Sequence, residues 1–186
     1  MSVLSDIVVN LFAHPVQDPK IVDLAPPVKI MGMGVDTTIS KVARDVARLG
    51  KQYERYKKNT EIPDLKTPWG FAAVSTGYDP QAQTFHYFMG DVVTRFEYSS
   101  PGLKPFEIPA GTYAVFAVRP KNKLGWPVAI AATKRLAYQD WLPGSAYEPA
   151  GGAVDDFEYH DERSVSKNPE IDLYVAIKPK NDPDLL

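Results

Sequence analysis

Glu158 stands between aromatic neighbours in the run Asp155-Asp156-Phe157-Glu158-Tyr159-His160. A carboxylate among rings on a sheet face is costly to leave charged and unpaired, so its pKa rises unless a donor or a cation offsets the lost hydration. A ligand cation can be that partner. Aromatic faces add cation-π attraction of about 0.5 to 2 kcal/mol per good contact. Trp69, Tyr87, Tyr113, Trp126, Trp141 and Tyr147 are the rings from which such walls can be drawn, and about half of them are expected in the core. Glu170, at the head of the last strand, is the rival acid; a surface charge at a strand end accounts for it equally well.

Other chemistries lack the spacing they need. His14, His86 and His160 are isolated, with neither H-x-H nor H-x-x-x-H, so no metal site is expected. With no cysteine there is no thiol nucleophile, thiolate metal site or disulfide framework. Ser145 lies in Pro-Gly-Ser-Ala-Tyr and lacks the G-x-S-x-G elbow. Gly32 and Gly34 precede a helix without a Walker lysine, so no phosphate cradle and no cofactor is expected. A formal net charge of -2 leaves no electrostatic footprint for nucleic acid or an anionic membrane. No run approaches the roughly 18 apolar residues of a membrane span. The N-terminus lacks a basic n-region, and the expected location is the cytoplasm.

These residues must be held by many short elements, which 17 prolines in 186 residues favour. A leader, residues 1–27, carries an apolar segment from Ile7 to Phe12 that reads as a short helix or a strand. Val28 to Val35 reads as a strand whose glycines mark a bulge or a close backbone approach. Asp36-Thr37-Thr38 reads as an N-cap, and Ile39, Val42, Ala43, Val46, Ala47, Leu49, Tyr53 and Tyr56 form the apolar stripe of a helix. Its other face carries Lys41, Arg44, Arg48, Lys51, Arg55, Lys57 and Lys58, ordinarily a solvated surface. A protein partner docking on this basic face is the remaining alternative. Trp69 to Gly77 and Thr84 to Val93 read as a hairpin.

The plan then repeats. Phe106 to Ile108 turns at Pro109 to Gly111 into Thr112 to Val118, and Trp126-Pro127 opens a second helix running to about Trp141. Asp156 to His160 and Glu170 to Ile177 are the closing strands. Two strand-helix-strand-strand units, about 28–93 and 103–178, followed by a tail, 179–186, predict an α+β fold. One antiparallel sheet carries both helices on one face, and the site is expected on the face they leave free.

Four runs in this order resemble the GyrI-like or AraC-type effector-binding domain family. They are Phe106-Glu107-Ile108-Pro109-Ala110-Gly111-Thr112-Tyr113, Trp141-Leu142-Pro143-Gly144-Ser145-Ala146-Tyr147, Phe157-Glu158-Tyr159 and Glu170-Ile171-Asp172-Leu173-Tyr174-Val175. Tyr87 to Val93 fits the same pattern. The resemblance, over about 28–178, implies a duplicated fold with a cleft for hydrophobic, often cationic, small molecules. It implies that Glu158 matches the acidic residue at the pocket centre of multidrug-responsive regulators. Regulator members also carry a DNA-binding helix-turn-helix, for which the 27 residues before Val28 are too few, so direct nucleic-acid binding is not expected. Some stand-alone members are hydrolases that open strained cyclopropane rings of DNA-alkylating natural products. In that alternative Glu158 is the general base and Tyr113 or Tyr147, by motif position, the proton donor. The leading expectation is a stand-alone binding domain for an apolar or cationic aromatic compound, serving drug or toxin sensing or sequestration.

Overall fold

The computed structural model describes residues 9–96 and 101–180. Among them the elements run β1 (Lys20–Leu24), β2 (Val28–Thr38), α1 (Val42–Asn59), β3 (Phe71–Asp79), β4 (Thr84–Val93), β5 (Lys104–Ile108), β6 (Gly111–Val118), α2 (Trp126–Arg135), β7 (Tyr147–Pro149), β8 (Asp156–His160) and β9 (Ile171–Pro179). A π-helical turn, Leu136–Trp141, and a short helical turn, Leu142–Gly144, prolong α2. Residues 9–12 of the leader are helical, whereas Ile7 and Val8 lie outside the described residues.

The strands make one antiparallel sheet in the order β1-β6-β9-β8-β3-β4-β2-β5, with β7 paired to the side of β9. The expected duplication is visible in this order: β2-β4-β3 and β6-β9-β8 meet across the central β3/β8 pair. Each half is flanked by the strand that leads into the other. β5 leads into β6 yet pairs with β2, and β1 leads into β2 yet pairs with β6. The reading of Phe106–Val118 as the first strand pair of the second repeat is therefore corrected, because β5 belongs to the edge of the first half. In a flat sheet β1 and β2 would be six strand spacings apart, about 29 Å. The connector 25–27 reaches no more than roughly 14 Å. The sheet has to curl until its two ends meet.

Register assigns the faces. Met89, Ala73, Glu158, Leu173 and Phe116 are successive cross-strand partners from β4 to β6, so their side chains point the same way. At one end of this row Met89 and Ala73 pack with Leu49 and Tyr53 of α1; at the other, Leu173 and Phe116 pack with Ala129 of α2 and with Ala137. Both helices thus cover one face, as expected. Among the described residues the opposite face is left free only at a groove beside Gly34, His86, Phe88 and Phe106, and is otherwise covered, which differs from the expected open face. The curl closes it on itself around Ile30, Val74, Phe88, Ile108, Tyr113 and Phe157.

Two local readings shift for identifiable reasons. β2 pairs with β4 as far as Thr38, so Asp36-Thr37-Thr38 ends a strand and α1 starts at Val42, leaving Ile39 exposed. Thr37 still serves the helix start, donating its hydroxyl to buried Asp45 at 2.9 Å. The glycines of β2 do mark a close approach: Gly32 faces Gly90, and a Cβ on Gly32 would lie 1.8 Å from the carbonyl oxygen of Met89.

Candidate ligand-binding site

Central β8 turns Asp156, Glu158 and His160 toward the helices, because alternate residues of a strand share a face. Asp156 and Glu158 are 4% and 5% exposed. α2 lays Lys134 over both: its Nζ lies 2.8 Å from Asp156 Oδ1 and 3.3 Å from Glu158 Oε1, and it donates to Ser75 Oγ at 3.3 Å. Four residues on, in the π turn, the Tyr138 hydroxyl donates to Asp156 Oδ2 at 3.0 Å. Single π turns of this kind recur at functional sites. His160 Nε2 is 3.7 Å from Glu158 Oε2, and its ring packs edge-on against Phe71 and 6.1 Å from Trp126. Tyr87 is buried on the same face, cross-strand from Ser75.

Burial pushes the Glu158 carboxyl up, but Lys134 and His160 outweigh it and hold the group below its ordinary 4.5. The condition attached to the sequence reading, an offsetting cation, is met from within the chain. Burial pushes the Lys134 ammonium down, and the two carboxylates override it and raise its pKa. Burial and Asp156 push the Tyr138 phenol up, as burial, Glu158 and Asp156 do for Tyr87. An ionised Glu158 and the Lys134 ammonium thus lie beside Asp156 under neutral phenols.

Of the residues singled out in the sequence, the structure brings together Glu158, Tyr87 and Trp126, the last through His160. Trp69 stands further along the same face and donates its indole N–H to Asp91 Oδ1 at 3.0 Å. Tyr113 must be corrected. It points to the inside of the curl, packs against Phe157 and Tyr174, and donates its hydroxyl to the Pro109 carbonyl at 2.9 Å. Phe116, in the row of Glu158, takes the helix-side place, so the proton-donor role of Tyr113 falls. Trp141 and Tyr147 stack on each other at 6.2 Å, and Trp141 meets Phe116 edge-on, so both belong to the core under α2 rather than to the carboxylates. Glu170 pairs with Arg119 and Arg163 at the head of β9, apart from Glu158, which fits the surface-charge reading.

Sequence reasoning missed Lys134, Tyr138, Asp156 and His160. The available signal was the i, i+2 spacing of Asp156 and Glu158 and the i, i+4 spacing of Lys134 and Tyr138 on the sheet-facing side of a helix. Two surface grooves are open elsewhere. One, of about 380 Å³, is lined by Gly34, His86, Phe88, Lys104 and Phe106, among others; one of about 480 Å³ runs along the outer face of α1. Neither reaches Glu158. Among the described residues no helix is long and apolar enough to cross a membrane.

A buried acidic centre on the middle of a curled, duplicated sheet beneath two helices defines an effector-binding fold. Over residues 21–177 the chain matches the family described as Cass2, integron-associated effector binding protein, and it belongs to that family. It is 33% identical over 135 residues to the transcriptional regulator BrlR of Pseudomonas aeruginosa, a match covering 69% of this chain and 46% of that one. The chain thus spans about half the length of that relative. Among solved structures, the integron cassette protein from the mobile metagenome of Vibrio cholerae superposes with a TM-score of 0.59 at 18% identity, covering 88% of this chain and 97% of that one. SAV2435 bound to tetraphenylphosphonium superposes with a TM-score of 0.56 at 12% identity, covering 87% and 94%. These likenesses show the fold.

Proposed function

We propose that the protein binds a small hydrophobic cation at Glu158, between α2 and the centre of the sheet, and so senses or sequesters such compounds. The observation that carries this reading is the charge count of the buried site: Asp156 and Glu158 share the single lysine Lys134. A ligand cation at Glu158 can take the place Lys134 holds there, because Lys134 keeps Asp156 as its partner. Trp126 and Tyr87 offer ring faces beside it. The likeness to a protein solved with tetraphenylphosphonium, a hydrophobic monocation, supports the same class of ligand. Because Glu158 is covered by α2, the ligand enters by parting that helix from β8, and the contact it displaces is Lys134.

Calorimetric titration of tetraphenylphosphonium into wild type and Glu158→Gln tests the reading. The variant is expected to bind at least roughly tenfold more weakly, since it keeps the shape of the site and loses its charge. Equal affinities would remove Glu158 from the site.

A further inference from the structure

The site does not divide its cation evenly. Lys134 Nζ sits 2.8 Å from Asp156 and 3.3 Å from Glu158, and Asp156 also receives the Tyr138 hydroxyl at 3.0 Å. The second oxygen of Glu158 has the His160 Nε2 at 3.7 Å, beyond hydrogen-bond reach. The neighbouring acid, Asp155, accepts the backbone N–H of Tyr78 at 3.0 Å. Lys134 therefore lies nearer Asp156 than Glu158, and the two carboxylates have this one ammonium between them. Among the described residues, two buried carboxylates and one ammonium meet beneath α2, with the His160 ring beside Glu158.

We propose that Lys134 sets the valence of the ligand: by cancelling one of two buried carboxylates it leaves a site for a single positive charge and turns dications away. This rests on the reading of the site as a cation pocket. A dication entering beside Lys134 would bring three positive charges against two carboxylates in a setting with little water to screen them. Without the lysine the same pocket would hold two negative charges and favour the dication. The residue is a specificity determinant, and its distance from Glu158 lets it slide fully onto Asp156 when a monocation takes its place.

The test compares a matched pair of aromatic cations, benzyl phenylpyridinium (one charge) and dibenzyl bipyridinium (two charges), at about pH 8.5, well above the carboxylate range. Wild type is expected to bind the monocation roughly tenfold more tightly than the dication, and Lys134→Gln to shift that ratio toward the dication by at least roughly tenfold. The decisive variant is Lys134→Gln with Asp156→Asn, which restores one net negative charge and removes both members of the buried pair, a change folds tolerate well. It is expected to regain the wild-type ratio. A ratio unchanged in Lys134→Gln, or not restored in the double variant, would overturn the valence role while leaving the cation site standing. If neither cation binds wild type, the proposed function and this inference fall together. Should Lys134→Gln fail to fold, the double variant decides alone: a preference other than that of wild type overturns the proposal.

Discussion

Under α1, Asp91 is 1% exposed and is met by Lys57 Nζ at 2.8 Å, the Tyr53 hydroxyl at 2.8 Å and the Trp69 indole N–H at 3.0 Å. Under α2, Asp156 and Glu158 share Lys134. The two halves of the duplicated fold thus place a lysine from each helix on a buried acid of the sheet, yet with different charge counts. In the first half one carboxylate has one ammonium and two further donors, so the cluster is closed. Such a cluster fastens a helix and has nothing left to offer a ligand. In the second half two carboxylates share one ammonium, and the helix above them carries a π turn in place of a regular one.

The comparison breaks most visibly at Asp91. Asp91→Ala leaves the Tyr53 hydroxyl and the Trp69 N–H without their acceptor and Lys57 without its counter-charge. It is expected to cost about 3 kcal/mol, the low end of the range for a broken buried pair, because Lys57 can turn to water. Urea unfolding of wild type and variant measures it, and a loss under about 1 kcal/mol would show that the first helix is not held there.

Glu158→Gln should behave differently: a stability loss of no more than roughly 1–2 kcal/mol, since Lys134 keeps Asp156 and the amide oxygen still accepts from it. Its signature is in acid. The folded Glu158 titrates below its ordinary 4.5, so the unfolded chain takes up that proton first. Its stabilisation is complete above about 4.5 and drains away as pH falls through the folded value. Melting temperatures recorded from neutral pH down to about pH 3 should fall less steeply for Glu158→Gln than for wild type. Parallel curves would mean that Lys134 and His160 do not hold the carboxyl down.

The sequence showed the elements more clearly than the site. β4 and β8 read to the residue, Thr84–Val93 and Asp156–His160, since alternation and flanking turn residues bound them locally. Glu158 stood out because a carboxylate between two rings conflicts with both neighbours. Period-two alternation sorts residues into two faces, but it does not say which faces of distant strands look at each other. That is why Tyr113 was placed with Glu158 although they point oppositely. The curl that buries Tyr113 depends on β5 pairing with β2, a choice made by residues some 75 positions apart, such as Ile30 with Phe106. Lys134 was invisible for another reason: a helical lysine is ordinarily solvated, and only the sheet beneath α2 makes it a counter-ion.

The smallest expected effect checks the assignment of faces. Tyr113→Phe removes one hydroxyl, which donates to the Pro109 carbonyl at 2.9 Å in the turn joining β5 to β6. The ring packing with Phe157 and Tyr174 remains, so the loss is that of one net hydrogen bond, no more than about 1 kcal/mol. The phenol lies across the sheet from Glu158, and the affinity for tetraphenylphosphonium should not change. An affinity loss comparable to that of Glu158→Gln would mean that the inside of the curl opens to the ligand. The two helices would then flank the wrong side of the site, and the contrast between Asp91 and Glu158 would no longer explain where ligands bind.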